Sequence, residues 1–193
     1  MSTILSMFLY PNLLIFFLEY NSITTMGNIT SREKLLKAAF QSTTLRTAGF
    51  STINQKEMTT VSKLISICYM FVGGSPGSTA GGIKTVTTFI VILLIMTYMK
   101  DKEKINIFKR NIPESTIRRA IVVFAISIFI VIIATIGLLL SESYIKEELL
   151  SADLASFYTV SFMEVLFEVV SAFATVGLTL GITSIISSTA STL

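Results

Sequence analysis

Residues Ala120 to Leu140 read AIVVFAISIFIVIIATIGLLL, 21 positions without a charge. A helix needs roughly 20 such residues to cross the hydrocarbon of a bilayer, so this run predicts a spanning helix. The remainder of the chain agrees. It is 52% apolar and only 14% charged, where soluble domains carry roughly 25% charged residues. One core built from 193 residues has too little interior to hide that much apolar surface. A disordered chain, a disulfide scaffold and a soluble enzyme are thereby excluded. Histidine is absent and Cys68 is the sole cysteine, which removes His-based acid–base or nucleophilic catalysis and makes a zinc site untenable. Cys68 lies in an apolar run and reads as a core or lipid-facing residue. The net charge of +3 is too small to argue for nucleic acid.

Two further regions look membrane-embedded. Ile4 to Tyr20 is a second span, interrupted by Pro11 and Asn12. It begins with no positively charged leader, since the first basic residue is Arg32, so the chain reads like the middle of a longer protein. Val61 to Met99 is apolar at both ends but broken by GGSPGSTAGGIK, Gly73 to Lys84, which holds five of the ten glycines. A backbone broken at membrane depth must have its freed polar groups buried in protein or facing a wet cavity. Discontinuous helices of this kind line substrate paths in transporters.

Between the broken segment and the uncharged run lies KDKEKINIFKRNIPESTIRR, Lys100 to Arg119, with seven basic and three acidic residues. The excess of Lys and Arg places this loop in the cytoplasm. Ser141 to Asp153, read as the loop on the other side, carries Glu142, Glu147, Glu148 and Asp153 against Lys146. Arg32, Lys34, Lys37, Arg46, Lys56 and Lys63 run against this pattern, because they fall in the outer half.

At an offset of 128 the chain resembles itself. TTLRTAGFS aligns with SAFATVGLT, setting Thr43 on Ser171, Thr47 on Thr175, Gly49 on Gly177 and Ser51 on Thr179. Each string follows a capping-box signature, Thr30-x-x-Glu33 or Ser161-x-x-Glu164, which predicts the start of a helix. The helices so marked, Ser31 to Leu45 and Phe162 to Phe173, are too short to span and suit re-entrant segments. One such glycine alone is explained by an ordinary helix C-cap. Two at a matched offset, each behind a short helix and between spans, point to a repeated unit: outer span, half-membrane helix, Thr-x-Gly turn, inner span.

A cation crossing a bilayer needs its hydration shell replaced by fixed oxygens, and backbone carbonyls supply these without a net charge. Glycine opens backbone conformations closed to other residues. A short helix aimed C-terminus first brings its negative pole to the ion. Gly49 and Gly177 are the positions this selects, with Thr47 and Thr175 supplying oxygens or packing behind the turns.

RTAGFSTI, FVGGSPGSTAGGIKT and SAFATVGLTLGIT resemble the third and fourth repeats of the membrane subunit in the Trk/Ktr/HKT potassium transporter superfamily. The resemblance implies an all-α membrane fold of tandem helix–pore-helix–helix repeats. Residues 1–99 would be the third repeat, 100–119 a cytoplasmic loop, and 120–193 a fourth repeat lacking its inner helix. It implies a potassium filter of backbone carbonyls at Thr47, Ala48, Gly49, Thr175, Val176 and Gly177. It further implies a gate loop of Gly73, Gly74, Ser75, Pro76, Gly77, Ser78, Thr79, Gly81, Gly82 and Lys84. A multi-pass protein of the cell membrane follows, dimeric at full length, above a ring of cytosolic nucleotide-binding subunits. Transport would run down the electrochemical gradient or couple to sodium or protons, with no covalent chemistry. The competing reading is a non-conducting membrane scaffold or a truncated remnant of such a transporter.

Three local features remain. Gly77 to Thr85 nearly fits a phosphate-binding loop, but Ile83 displaces the lysine and no soluble strand precedes it. Lys84 is expected to reach a cavity or the cytoplasmic interface. Arg46, next to the first turn, would repel a cation and is expected to turn away from the pore toward a carboxylate, with Glu164 and Glu168 as candidates.

Overall fold

The computed structural model describes residues 12–22, 24–27, 29–100, 106–107, 110–150 and 161–182. Six α-helices make up most of the described residues: α1 over residues 12–19, α2 Ser31–Thr44, α3 Thr60–Phe71, α4 Thr85–Met99, α5 Glu114–Leu150 and α6 Phe162–Phe173. A two-residue antiparallel ladder, β1 (Asn106–Ile107) with β2 (Arg110–Asn111), sits between α4 and α5 and is a small departure from the all-helical expectation. Residues 4–11 of the expected first span lie outside the described residues, as do 101–105 and 108–109 of the basic loop and the chain end from 183.

The capping signatures mark helix starts as anticipated. Glu33 Oε2 accepts the Thr30 N–H at 3.1 Å, and Glu164 Oε2 accepts the Ser161 N–H at the same 3.1 Å. Each satisfies a donor that a helix N-terminus leaves without an intrahelical partner. At the entrance to α3, Thr59 accepts from Ser62 N at 3.3 Å. The fully buried Glu19 carboxylate, at the end of α1, accepts from Thr59 N and Oγ1, both at 2.9 Å, and from Thr25 Oγ1 at 2.6 Å. Three donors offset the cost of taking this carboxylate out of water, and they fix the end of α1 against the start of α3.

The long helix α5 differs from the reading of its flanks. It begins at Glu114, inside the stretch assigned to the basic loop, and continues to Leu150, through most of the segment read as an acidic loop. Its residues Glu114–Ser141 are long and apolar enough to cross a membrane, the only such helix among the described residues. Ala120, Ser127, Val131 and Thr135 form a buried stripe at spacings of a helix face. Ser127 and Thr135 return their hydroxyls to the carbonyls of Val123 and Val131, at 2.8 and 2.7 Å, so no polar group of the stripe needs water. Ile121, Ile126, Phe129, Ile132, Ile133 and Ile136 point outward. That continuous apolar face fits a lipid surrounding. Ile132→Arg is therefore expected to reduce the membrane-integrated fraction, at a cost of about 2.5–3.5 kcal/mol near mid-bilayer, whereas Ile132→Phe is expected to leave it unchanged. Carbonate extraction of membranes measures both.

The core forms where α3 packs on α6, with α5 on α6 and on α4. Phe71, at the end of α3, stacks on Phe173 at 5.9 Å and meets Phe124 edge-on at 6.1 Å. Met70, Leu45, Val165 and Phe167 fill the interior. Both copies of the repeated string emerge at this junction.

Candidate functional site

The two short helices run Ser31–Thr44 and Phe162–Phe173, within one residue of the expected ends, and each leads directly into its Thr-x-Gly string. The backbone repeats as well as the sequence. Thr47 and Gly49 have φ of +69° and +74°, and Thr175 and Gly177 have +54° and +82°. A β-branched residue seldom adopts positive φ, and Thr47 and Thr175 are the only non-glycine residues to do so among those described. In a plain extended strand successive carbonyls face opposite ways; left-handed residues at every second position rotate the peptide planes and bring carbonyls toward one side.

The bends abut. A Cβ on Gly49 would lie 2.9 Å from the Val176 carbonyl oxygen, and one on Gly177 would lie 3.7 Å from Gly49 Cα. The Val176 carbonyl oxygen thus lies beside Gly49. Hydroxyls hold each bend to its own helix. Thr44 Oγ1 donates to Phe50 O and accepts from Phe50 N, while Ser171 Oγ donates to Leu178 O at 2.6 Å. Phe50 and Leu178 correspond at the repeat offset, but the hydroxyls come from positions one residue apart.

Beyond the bends the supports diverge. Buried Gln41 and Gln55 exchange amide hydrogen bonds of 2.8 and 3.0 Å, and Gln55 Nε2 also donates to Ile53 O at 3.2 Å. In the second copy Glu168 Oε1 accepts from Thr179 Oγ1 at 2.5 Å and Leu180 N at 2.9 Å. Sequence reading does not single out Gln41, Thr44 or Gln55. For Gln41 and Thr44 the one visible signal is polarity inside a short helix, and Gln55, outside that helix, offers none.

The glycine-rich segment separates α3 from α4 as a closed loop. Its stem is a parallel bridge between Val72 and Ile83, with Ile83 N donating to Phe71 O at 3.1 Å and Thr85 N to Gly74 O at 3.2 Å. The crossing is tight enough that a Cβ on Gly73 would fall on the carbonyl oxygen of Gly81. Ser75, Pro76, Gly77, Ser78 and Thr79 form an exposed tip, and Ala80 and Ile83 are buried. Lys84 bonds within its own loop. Its Nζ folds back to donate to Ser78 O at 3.1 Å and Ala80 O at 2.6 Å, satisfying carbonyls that the helix break has freed.

Both bends touch this loop. Arg46 Nη1 donates to Gly73 O at 3.2 Å, and Gly81 N donates to Thr175 Oγ1 at 3.0 Å. A Cβ on Gly81 would come within 2.7 Å of Ala174 O and of Thr175 Oγ1. From the sequence Arg46 is expected to meet Glu164 or Glu168, and this carbonyl contact is one that the expectation does not include. Glu164 caps its own helix and Glu168 holds Thr179 and Leu180. Thr47 Oγ1 donates to Arg46 O at 2.6 Å, so the two bend threonines are engaged differently.

Known proteins share this sequence and architecture. A family described as TrkH, cation transport protein, matches residues 2–193. The Ktr system potassium uptake protein B of Bacillus subtilis is 36% identical over 172 residues, covering 89% of this chain and 35% of that protein. Its namesake in Vibrio alginolyticus is 34% identical over 176 residues, covering 91% and 35%. The potassium/sodium uptake protein NtpJ of Enterococcus hirae is 33% identical over 165 residues, covering 86% and 34%. The chain thus spans about a third of the length of these relatives. Among solved structures, the potassium transporter TrkH from Vibrio parahaemolyticus superposes with a TM-score of 0.62 at 19% identity, over 71% of this chain and 30% of that one, a likeness of fold.

Proposed function

Because the chain belongs to the TrkH family of cation transport proteins, we propose that it supplies two neighbouring segments of a potassium filter and the loop that gates it. It is a part of a transporter, not an enzyme. The repeated bend carries this reading: the same left-handed pair at Thr47 and Gly49 and at Thr175 and Gly177, with the two bends side by side. Adjacent members of a ring of four bends touch flank to flank, and the ion lies on the axis to one side. Carbonyls of Thr47, Ala48, Gly49, Thr175, Val176 and Gly177 are the coordinating oxygens. The C-terminal ends of α2 and α6 meet the bends, placing the negative poles of two helix dipoles beside the ion. In this reading α2 and α6 are pore helices, and α3, the glycine loop and α4 are the broken inner helix of the third repeat. Residues 1–99, 100–119 and 120–193 are then the third repeat, a cytoplasmic loop and most of the fourth.

The glycine loop lies against the underside of both bends, as a gate should, and its exposed tip of small residues offers little steric resistance to displacement. The protein sits in the cell membrane with Lys100–Arg119 in the cytoplasm. That basic loop faces anionic headgroups and a cytosolic ring of nucleotide-binding regulatory subunits, beneath a dimer of the full-length membrane subunit.

Reconstituting the full-length protein that contains this chain in liposomes tests the proposal. Rubidium uptake is expected to be suppressed by excess potassium and little affected by equimolar sodium. Equal suppression by the two ions overturns the potassium assignment, and no uptake above empty liposomes favours the scaffold reading.

A further inference from the structure

The glycine loop is tied at its two ends to two different bends. At one end Gly73 O accepts from Arg46, the residue before Thr47; at the other, Gly81 N donates to Thr175, inside the second bend. Between these anchors the loop is internally braced by Lys84 on Ser78 O and Ala80 O and by the Val72–Ile83 stem. A braced loop moves as a unit, so it leaves both anchors or neither. We infer that the loop is a strut which sets the separation and backbone twist of the two bends. On this inference, loop displacement changes which ions the bends accept as well as whether the path is open. The inference rests on the filter and gate reading above.

The physical grounds lie in Thr175. Its positive φ of +54° costs free energy for a β-branched residue and persists only where surroundings hold it. The Gly81 N–H on its side-chain oxygen is one of those holds. The crowding of Gly81 against Ala174 O and Thr175 Oγ1 is a second, since only a residue without a Cβ fits there; the end of α6 supplies the rest, with Thr175 N on Ala172 O at 3.0 Å and Val176 N on Ser171 O at 2.8 Å. When the loop leaves, the two holds it supplies are lost and only the backbone bonds to α6 remain, so Thr175 is less firmly kept at positive φ and the adjoining peptide planes gain freedom to turn. Arg46 transmits the same displacement to the first bend through Thr47, whose hydroxyl donates to the Arg46 carbonyl at 2.6 Å. Filter geometry and gate position are thereby one equilibrium, and by linkage an ion that favours the twisted bends favours the seated loop.

Thr175→Val separates this strut from a loop that merely blocks. It keeps the β-branched shape and removes the acceptor. In the full-length protein, with Cys68→Ser to remove the exposed native thiol and Ala80→Cys as a reporter buried while the loop is seated, two quantities are read. One is the rate at which a water-soluble methanethiosulfonate modifies the introduced thiol in membrane vesicles; the other is the rubidium-to-sodium uptake ratio. Thr175→Val is expected to raise the first and lower the second, each by about three- to tenfold, the range for one lost hydrogen bond. Thr175→Ser, which keeps the acceptor, is expected to return both toward the parental values. Faster modification with an unchanged ratio overturns the strut, and so does an unchanged modification rate. Should Thr175→Val fail to reach the membrane, Arg46→Gln releases the other anchor and is held to the same two outcomes. If the protein carries no rubidium at all, the filter reading fails, while the modification rate still reports whether the anchors seat the loop.

Discussion

Alanine at Gly49 is expected to remove most of the discrimination between potassium and sodium in the full-length protein, whereas alanine at Gly177 leaves a larger share of it. Both glycines sit at positive φ, where an L side chain costs about 1–2 kcal/mol. Their surroundings differ. At Gly49 the new methyl would press to 2.9 Å of the Val176 carbonyl oxygen, a proposed ligand, and backbone has little freedom to retreat. At Gly177 the nearest atom is Gly49 Cα at 3.7 Å, an ordinary contact. Gly49→Ala therefore adds a displaced ligand to the strain, and a filter that differentiates ions by oxygen placement loses its reference geometry. Gly49→Asp and Gly177→Asp go further, adding a carboxylate that attracts either ion. The uptake ratio of rubidium to sodium in liposomes orders these variants: parent, Gly177→Ala, Gly49→Ala, then the two aspartates. A parental ratio in Gly49→Ala overturns the role assigned to this bend, and a larger loss at Gly177 than at Gly49 overturns the contact geometry.

Much of this arrangement is legible in the residues because it rests on local rules. Thr30-x-x-Glu33 and Ser161-x-x-Glu164 place two helix starts, and both glutamates make the expected bond to the N-cap N–H. The glycines at 49 and 177 stand where the backbone turns left-handed, since that conformation selects the residue. The charge-free run from Ala120 has to be helix. What is not legible depends on tertiary neighbours or on rules that charge does not obey. The ends of α5 read as loops because charge marks the limits of the hydrocarbon layer, but charge does not end a helix. Glu and Lys are good helix formers, so Ser141–Leu150 continues the helical backbone.

Arg46 shows a second limit. Its charge calls for a carboxylate, and Glu164 and Glu168 have suitable spacing on one helix face. Freed carbonyls near a helix break are acceptors as well, and a guanidinium has five N–H donors to distribute among both kinds of partner. The loop places Gly73 O in reach. Lys84 follows the same logic with Ser78 O and Ala80 O. Sequence shows that the break must have its polar groups satisfied, but not that nearby cations of the same chain do it. The Gln41–Gln55 pair is invisible for a related reason: two amides 14 residues apart meet only once the bend has returned the chain to its helix.

The same loop yields the second large effect. Gly73→Ala is expected to leave the path open when it should be closed, while Gly77→Ala is expected to behave nearly as the parent. A methyl at Gly73 would lie 1.9 Å from the Gly81 carbonyl oxygen, a backbone atom with little freedom to retreat. The stem at Val72 and Ile83 then has to part, and with it the Gly81 contact on Thr175. Gly77 has nothing within 4 Å of its Cβ position, so its φ of +84° is the only obstacle. That strain amounts to about 1–2 kcal/mol, carried at an exposed tip that can adjust. The contrast isolates the crossing of the loop from its glycine content, because each variant removes one glycine from the same twelve-residue string. Rubidium leak from preloaded liposomes under conditions that hold the parent closed is expected to rise at least about tenfold for Gly73→Ala, since far more than 1.4 kcal/mol separates an interpenetrating backbone contact from an ordinary one. A closed, tight Gly73→Ala protein would mean that the strands do not cross where the structure puts them, and the loop would then lose its claim to be the gate. An equally leaky Gly77→Ala would instead assign the gating to tip flexibility, with the stem a passive hinge.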